Sequence, residues 1–233
     1  MNMENKPIID IIIPAFNEEN AVGNVVIDIP KKLVREIVVV NNNSTDKTAI
    51  NAQNAGATVL TEKNMGYGNA CLKGMTHIAN KAIKPDIIIC LDADYSDYPE
   101  EMVDLIKPIT TDNFDMVIGS RALGNMEKGA MTPQQIFGNW LATFLLKLFY
   151  NVQYTDLGPF RAIKYDSLVA LRMKDKTYGW TVEMQVKAAK QKMKTCEVAV
   201  NYRNRIGFSK VSGTLKGTIG AGYKIITTIF RHI

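Results

Sequence analysis

Apolar and polar positions alternate in blocks along the first half of the chain, and the blocks read as strands and helices in turn. Residues 8–13 are β-branched except for Asp10 and end at Pro14, the pattern of a strand covered on both faces. A polar turn at 16–20 leads into a helical stretch closed near Pro30. Residues 36–40 predict a second strand, stopped by Asn41, Asn42 and Asn43, after which Ser44 or Thr45 can cap a helix running to about residue 54. A strand follows at 57–60, a helix at 67–81 and an apolar strand at 86–91. A helix at 99–109 opens on Pro99, where proline is tolerated, and a strand at 115–118 closes the series.

Strands separated by helices in this way form right-handed βαβ units on a mostly parallel sheet. Ligands of such sheets bind beyond the carboxyl ends of the strands. Asn17, Glu18 and Glu19 follow the first strand, residues 41–46 the second, and Asp92, Ala93 and Asp94 the fourth. Three polar clusters are therefore expected on one rim.

The second half is less regular, and its pattern assigns no element between 151 and 181. From 133 to 150 the apolar residues fall at 136, 137, 140, 141, 144, 145 and 148, one broad helical stripe. The pattern favours a helix packed on the core; the alternative is an interfacial helix touching lipid. A helix at 182–192, a strand at 195–200 and a closing amphipathic helix at 215–230 complete the reading.

Charge changes the picture at one end only. The 233 residues carry a formal +5, from 28 basic and 23 acidic side chains. Six cations and no carboxylate follow Glu197, so the preceding chain carries −1 (5 minus 6). The basic end suits phosphates or an anionic membrane surface. Nucleic acid is not expected as a partner, because no aromatic-interleaved basic motif occurs. Cys71, Cys90 and Cys196 have no paired spacing, and with His77 and His232 they build neither a disulfide framework nor a zinc cluster. The N-terminus lacks the regions of a signal peptide, and no run reaches the roughly 18 apolar residues that span a bilayer. These features predict a cytoplasmic protein, peripheral on the cytoplasmic face of the membrane if it meets lipid at all.

Asp92 and Asp94 lie two apart at the end of an extended segment, so both carboxylates project to one face. Carboxylates so close repel unless a cation separates them, and hard oxygen ligands suit Mg²⁺ or Mn²⁺, with phosphate oxygens and water completing the shell. Such an ion would bridge a nucleotide diphosphate and neutralise its charge as it leaves. Other phosphate loops fail: Cys71 stands where a dinucleotide fingerprint starting at Gly66 needs a third small residue, and no P-loop motif occurs.

The segments IIIPAFNEEN, VVVNNNSTDKT, NMGYGNA, LDADYSD and VIGSR occur in order over residues 8–121. Together they resemble the donor half of family 2 glycosyltransferases. The later segments TDLGPFRAI, YGWTVEMQVKAA and GFSKVSGTLKGT resemble the dolichyl- or polyprenyl-phosphate mannose and glucose synthases of that family. The resemblance implies an α/β fold of GT-A type, with a Rossmann-like, mostly parallel sheet flanked by helices. It also implies a single domain over 1–233, with a donor half at 1–121, an acceptor half at 122–233 and a basic C-terminus that can face a membrane or a membrane anchor protein.

Site residues follow from the same resemblance. Pro14, Ala15, Asn17 and Glu18 would line the nucleobase and ribose pocket, joined by Asn42, Asp46 and Gly66. Asn41 and Asn42 stand where the family carries acidic residues, and an amide donates as well as accepts hydrogen bonds. Asp92, Ala93, Asp94 and Ser96 match the metal and diphosphate positions, with Asp92 and Asp94 as the metal ligands. Arg121 would face donor and acceptor phosphates, where a guanidinium gives bidentate contacts. Arg203, Arg205, Ser209 and Lys210 match the basic loop on the acceptor phosphate. The implied reaction moves a hexose from a nucleotide sugar of UDP-glucose or GDP-mannose type to a polyprenyl phosphate, with inversion, using Asp94, Arg121 and Lys210.

A phosphate acceptor needs no general base, because it is mostly dianionic near neutral pH. A hydroxyl acceptor, of a polysaccharide or small molecule, would need one, and Glu183 is the candidate. A nucleotidyltransferase or a non-catalytic nucleotide-sugar-binding subunit remains as a reading of another class.

Overall fold

The computed structural model describes residues 6–209 and 215–233. Its strands are β1 (Ile9–Ala15), β2 (Glu36–Asn41), β3 (Thr58–Thr61), β4 (Ile87–Cys90), β5 (Met116–Ser120), β6 (Arg161–Lys164) and β7 (Thr195–Ala199). They form one seven-stranded sheet in the order β3-β2-β1-β4-β6-β5-β7. β1 pairs in parallel with β2 and β4, β2 with β3, and β5 with β7, while β6 runs antiparallel to both β4 and β5. The sheet is thus mostly parallel, as expected. Because β6 reverses between β4 and β5, the carboxyl end of β5 falls on the same rim as those of β1, β2 and β4.

Alternate residues of each strand serve two core layers. Ile12, Val38, Val40 and Ile88 pack with Ala70, Cys71 and Ile78 of α3 (Tyr67–Ala79), and with Trp180, Val182 and Met184 of α7 (Trp180–Lys190). Ile11, Ile13, Val39 and Ile89 pack with Val22, Val25 and Val26 of α1 (Val22–Asp28), and with Met102, Leu105 and Ile109 of α4 (Met102–Asp112). Each such side chain is worth about 1.5–3 kcal/mol when fully buried, and β1, covered on both faces, lies inside the sheet between β2 and β4. Asp10, which interrupts the β1 run, is fully buried and neutralised by Arg35 at 2.5 Å and Lys81 at 2.8 Å. A charge there is tolerable only because it is paired.

Several expectations need correction. The 151–181 region holds β6 and α6 (Tyr165–Leu171), which the pattern did not assign. Strand β6 is short, and it begins at Arg161, whose buried guanidinium donates to the carbonyls of Leu157, Gly158 and Thr181. A strand that opens on a buried arginine carries no alternation signal. Helix α2 (Thr48–Asn54) is capped by neither Ser44 nor Thr45; Asp46 accepts from the Thr48 amide at 2.9 Å instead.

The largest difference concerns α5 (Pro133–Tyr150), which starts at a capping box between Thr132 and Gln135. Its buried side is narrow: Ala142, Thr143 and Leu146. Ile136, Phe137, Trp140, Phe144 and Leu148 face outward, with Trp140 57% and Phe137 61% exposed. Phe137, Trp140 and Phe144 form a continuous ring ladder, with centroids 5.8 and 5.9 Å apart. Helix α8 (Leu215–Arg231) packs beside α5 and extends this surface with exposed Ile219, Tyr223 and Phe230, the last edge-on to Phe149 at 5.2 Å. Most of the apolar stripe of α5 is therefore exposed and not packed on the core.

Candidate active site

A cleft of about 570 Å³ opens at the rim where the strand ends converge. One wall comes from the donor-half loops: Pro14, Ala15 and Glu18 after β1, Asn42 after β2, Gly66 and Tyr67 at the start of α3, and Asp92, Ala93 and Asp94 after β4. Arg121, just beyond β5, stands at its back. The other wall comes from Gln134, Gln135, Gly138 and Asn139 of α5, Ala221, Gly222 and Ile225 of α8, and Tyr202, Arg205 and Ser209 between β7 and α8. Eleven of the residues picked out by resemblance therefore share one cavity.

Hydrogen bonds between loops hold the donor wall. The Asn17 amide donates to the Ser44 hydroxyl, the Glu18 amide to Thr48, and the Glu19 amide to Asp46. Asn42 uses its whole carboxamide, donating to the Glu62 and Asn64 carbonyls and accepting from the Gly66 amide at 2.8 Å. A carboxylate at position 42 could not make the two donations, so the amide fits this loop for a structural reason. Gly66 has φ +138°, and a side chain there or at Gly68 would run into the backbone of Lys176 or Asp175. The Gly-x-Gly motif thus serves close backbone approach. Asn17 and Tyr95 sit at φ 53° and 65°, and for the bulky Tyr95 this is a strained conformation beside the Asp92–Asp94 turn.

The carboxylates at the rim are electrostatically frustrated. Burial first, and the Asp94 charge next, push the Asp92 carboxyl up to about 7, although the Tyr67 hydroxyl donates to it at 3.0 Å. Asp94 accepts from the Ser96 amide and hydroxyl through one oxygen and meets Arg205 through the other at 3.1 Å. Asp97, fully buried, has no hydrogen-bond partner for either oxygen, and burial raises its carboxyl well above the usual range. A divalent cation between Asp92 and Asp94 would relieve the repulsion. Among the described residues no cluster of three His, Cys, Asp or Glu could hold a metal. Two carboxylates with phosphate oxygens and water are, however, a fitting ligand set for Mg²⁺ or Mn²⁺.

Arg121 is held bidentately by Asp156, Nε to Oδ2 at 2.7 Å and Nη2 to Oδ1 at 2.6 Å, and lies over the Tyr202 ring at 5.0 Å. Burial opposes its charge, but Asp156 outweighs that and raises its pKa. Sequence reasoning missed Asp156, Tyr67 and Tyr202; of these, Tyr67 and Asp156 lie within the segments NMGYGNA and TDLGPFRAI that carry the resemblance, and Tyr202 had no such signal.

Other chosen residues lie off the cleft wall. Asp46 accepts from the Thr48 amide, Ser96 donates its amide and hydroxyl to Asp94, and the Asn17 side chain accepts from the Thr45 amide. Arg203 is a correction: its guanidinium stacks on Tyr95 at 3.4 Å and Tyr98 at 4.1 Å and donates to the Tyr95 and Asp97 carbonyls, so it pins a loop instead of facing an acceptor. Glu183 is another. Its buried carboxylate accepts from the Lys174 and Asp175 amides and pairs with Lys187 at 2.7 Å, and it is not among the residues that line the cleft. Lys210 lies outside the described residues.

A mostly parallel α/β sheet with a carboxylate-bearing rim and a second wall of helices defines the GT-A class of transferase folds. Residues 10–172 match the model of "Glycosyl transferase family 2", and the chain belongs to that family and is a glycosyltransferase. It is 31% identical over 217 residues to an uncharacterized glycosyltransferase of Mycobacterium tuberculosis, covering 91% of this chain and 93% of that one. It is 29% identical over 209 residues to the dolichyl-phosphate hexose transferase of Haloferax volcanii, covering 86% of this chain and 85% of the relative. Glucosyl-3-phosphoglycerate synthase from Mycobacterium tuberculosis, solved with Mn²⁺, uridine diphosphate and phosphoglyceric acid, superposes with a TM-score of 0.77 at 21% identity, over 97% of this chain and 78% of that one.

Proposed function

We propose that the protein transfers a hexose from a nucleotide sugar to a polyprenyl phosphate while lying on a membrane surface. The observation that carries this reading is the shape of the cleft. One wall is a polar rim with paired carboxylates; the other is made by α5 and α8, whose outward faces are exposed and aromatic. A lipid-linked phosphate could reach the cavity between those helices while its chain stays in the bilayer. The basic C-terminal segment suits an anionic leaflet, and the dolichyl-phosphate hexose transferase among the relatives supports the acceptor class.

Asp92 and Asp94 would hold Mg²⁺ or Mn²⁺, and that ion would neutralise the departing nucleoside diphosphate. Pro14, Ala15, Glu18, Asn42 and Gly66 would receive base and ribose. Arg121, oriented by Asp156 and Tyr202, would face the phosphates. One oxygen of the acceptor phosphate attacks the anomeric carbon from the face opposite the leaving group. The bond from that carbon to the diphosphate breaks, and the configuration inverts. The dianionic acceptor brings its own electron pair and no proton, so the absence of Glu183 from the cleft costs nothing.

The test is a donor screen, UDP- and GDP-hexoses with Mn²⁺ or Mg²⁺, against polyprenyl phosphate in anionic vesicles, soluble phosphomonoesters and hydroxyl acceptors. Transfer to the vesicle-borne phosphate is expected to dominate. Equal transfer to water-soluble hydroxyl acceptors would overturn the lipid reading, and pyrophosphate release would indicate a nucleotidyltransferase.

A further inference from the structure

We infer that Arg205 is the resident counter-ion of the donor site, and that it must surrender Asp94 before that carboxylate can ligate a divalent cation. The inference rests on the donor site proposed above. The Arg205 guanidinium reaches Glu18 at 2.9 Å with Nη2 and Asp94 at 3.1 Å with Nη1, so it bridges two buried acids that follow the carboxyl ends of the neighbouring strands β1 and β4. It lies in the cleft wall, beside the Asp92–Asp94 pair that needs a cation.

Three features mark this as one of two positions. The backbone around Arg205 is fixed, because the Arg203 amide donates to the Ser96 carbonyl and the Ile206 amide to the Asp94 carbonyl. Only the side chain is left to move, and it is long and partly exposed. The Nε–H is buried and has no acceptor, so the present arrangement is incompletely satisfied. Finally, a guanidinium is a bidentate partner for phosphate as much as for carboxylate. A nucleoside diphosphate therefore offers Arg205 new acceptors as it brings oxygens to complete a metal shell.

Metal and nucleotide should consequently bind with strong positive coupling. Metal alone must displace a cation from Asp94, whereas metal with diphosphate gives that cation somewhere to go. By linkage, each ligand then raises the other's affinity by the same factor.

The experiment measures Mn²⁺ binding to the full chain by electron paramagnetic resonance of free Mn²⁺, with and without UDP or GDP. It compares wild type, Arg205→Met and Arg205→Gln, whose folding is checked by circular dichroism and melting. Wild type is expected to bind Mn²⁺ weakly alone and at least tenfold more tightly with nucleotide. In either variant Mn²⁺ alone should bind about tenfold more tightly, and the nucleotide-dependent gain should shrink. Loss of a merely structural residue would not tighten metal binding. Unchanged or weaker Mn²⁺ affinity in both folded variants, with nucleotide-dependent binding intact in wild type, overturns this inference and leaves the donor site standing. If wild type binds no Mn²⁺ with either nucleotide, the donor site falls and the inference with it.

Discussion

The two walls of the cleft are built on opposite principles. The donor wall consists of short loops on a rigid parallel sheet, and nearly every polar group in it is tied to another loop, as Asn42, Asp46 and Ser44 are. The opposing wall consists of two helices: α5 is held to the body on a narrow face with most of its apolar stripe turned outward, and α8 leaves Ile219, Tyr223 and Phe230 exposed. One wall is cross-tied by hydrogen bonds between its loops. The other is a surface of aromatic rings in want of a medium. The difference teaches that an apolar helical stripe identifies a face and not its environment: water-excluding protein and lipid satisfy the same period.

The sharpest way to break the comparison is at its junction. Asp156→Ala would leave the buried Arg121 guanidinium unpaired, and removal of one partner from such a pair costs about 3–5 kcal/mol. A large fall in melting temperature is expected, with loss of transfer; a stable variant would mean that Arg121 finds another partner. Next comes the donor wall itself. Asp94→Asn should lower transfer about a hundred- to a thousandfold, the scale of removing one electrostatic contact to developing charge, with the fold intact by circular dichroism. Full activity would remove Asp94 from the chemistry.

The helical wall is tested by replacing Phe137, Trp140 and Phe144 together with Ser. Binding to anionic vesicles in a flotation assay should fall about tenfold or more, because buried apolar area sets interfacial affinity. The melting temperature should scarcely change, since these rings are exposed. A large loss of stability instead would return α5 to the core. A smaller effect is expected for Glu183→Gln: about 1–2 kcal/mol of stability from weakened loop bonds, and turnover within a few fold of wild type. A hundredfold loss of turnover would restore it as a base.

The smallest effect lies far from both walls. Burial works against the Glu36 charge, but hydrogen bonds from Lys81, Thr58 and His77 outweigh it and hold its carboxyl at about 2, against an ordinary 4.5. The folded value is depressed, so this contribution is complete above about pH 4.5 and lost as pH falls toward 2. The melting-temperature gap between wild type and Glu36→Gln should therefore narrow from pH 6 to pH 3. A gap that does not depend on pH would detach Glu36 from that network.

The sheet and its rim were legible in the sequence because β-branched runs end at polar clusters, and parallel topology sends those ends to one side. Asp92, Asp94 and Asn42 were found this way. Arg203 was misjudged because a cation near the site can serve the loop as readily as the ligand, and only packing separates the two: Tyr95 and Tyr98 enclose it. Asp156 was passed over because its role depends on a partner 35 residues away, Arg121, which no local pattern encodes. Strand β6 escaped because it opens on a buried arginine whose compensation is entirely backbone carbonyls.

The aromatic ladder on α5 bears on how such an enzyme would find its second substrate. A catalyst resting on a sheet of lipid searches for a lipid-linked partner by lateral diffusion in two dimensions. Confining both partners to one plane raises their effective concentration without any added contact in the cleft. The same rings, left in water at high protein concentration, are a large exposed apolar patch that invites self-association. The surface that would speed the encounter on a membrane is thus also the one that would limit the protein's solubility away from it, and mild detergent or vesicles should be its natural solvent at the bench.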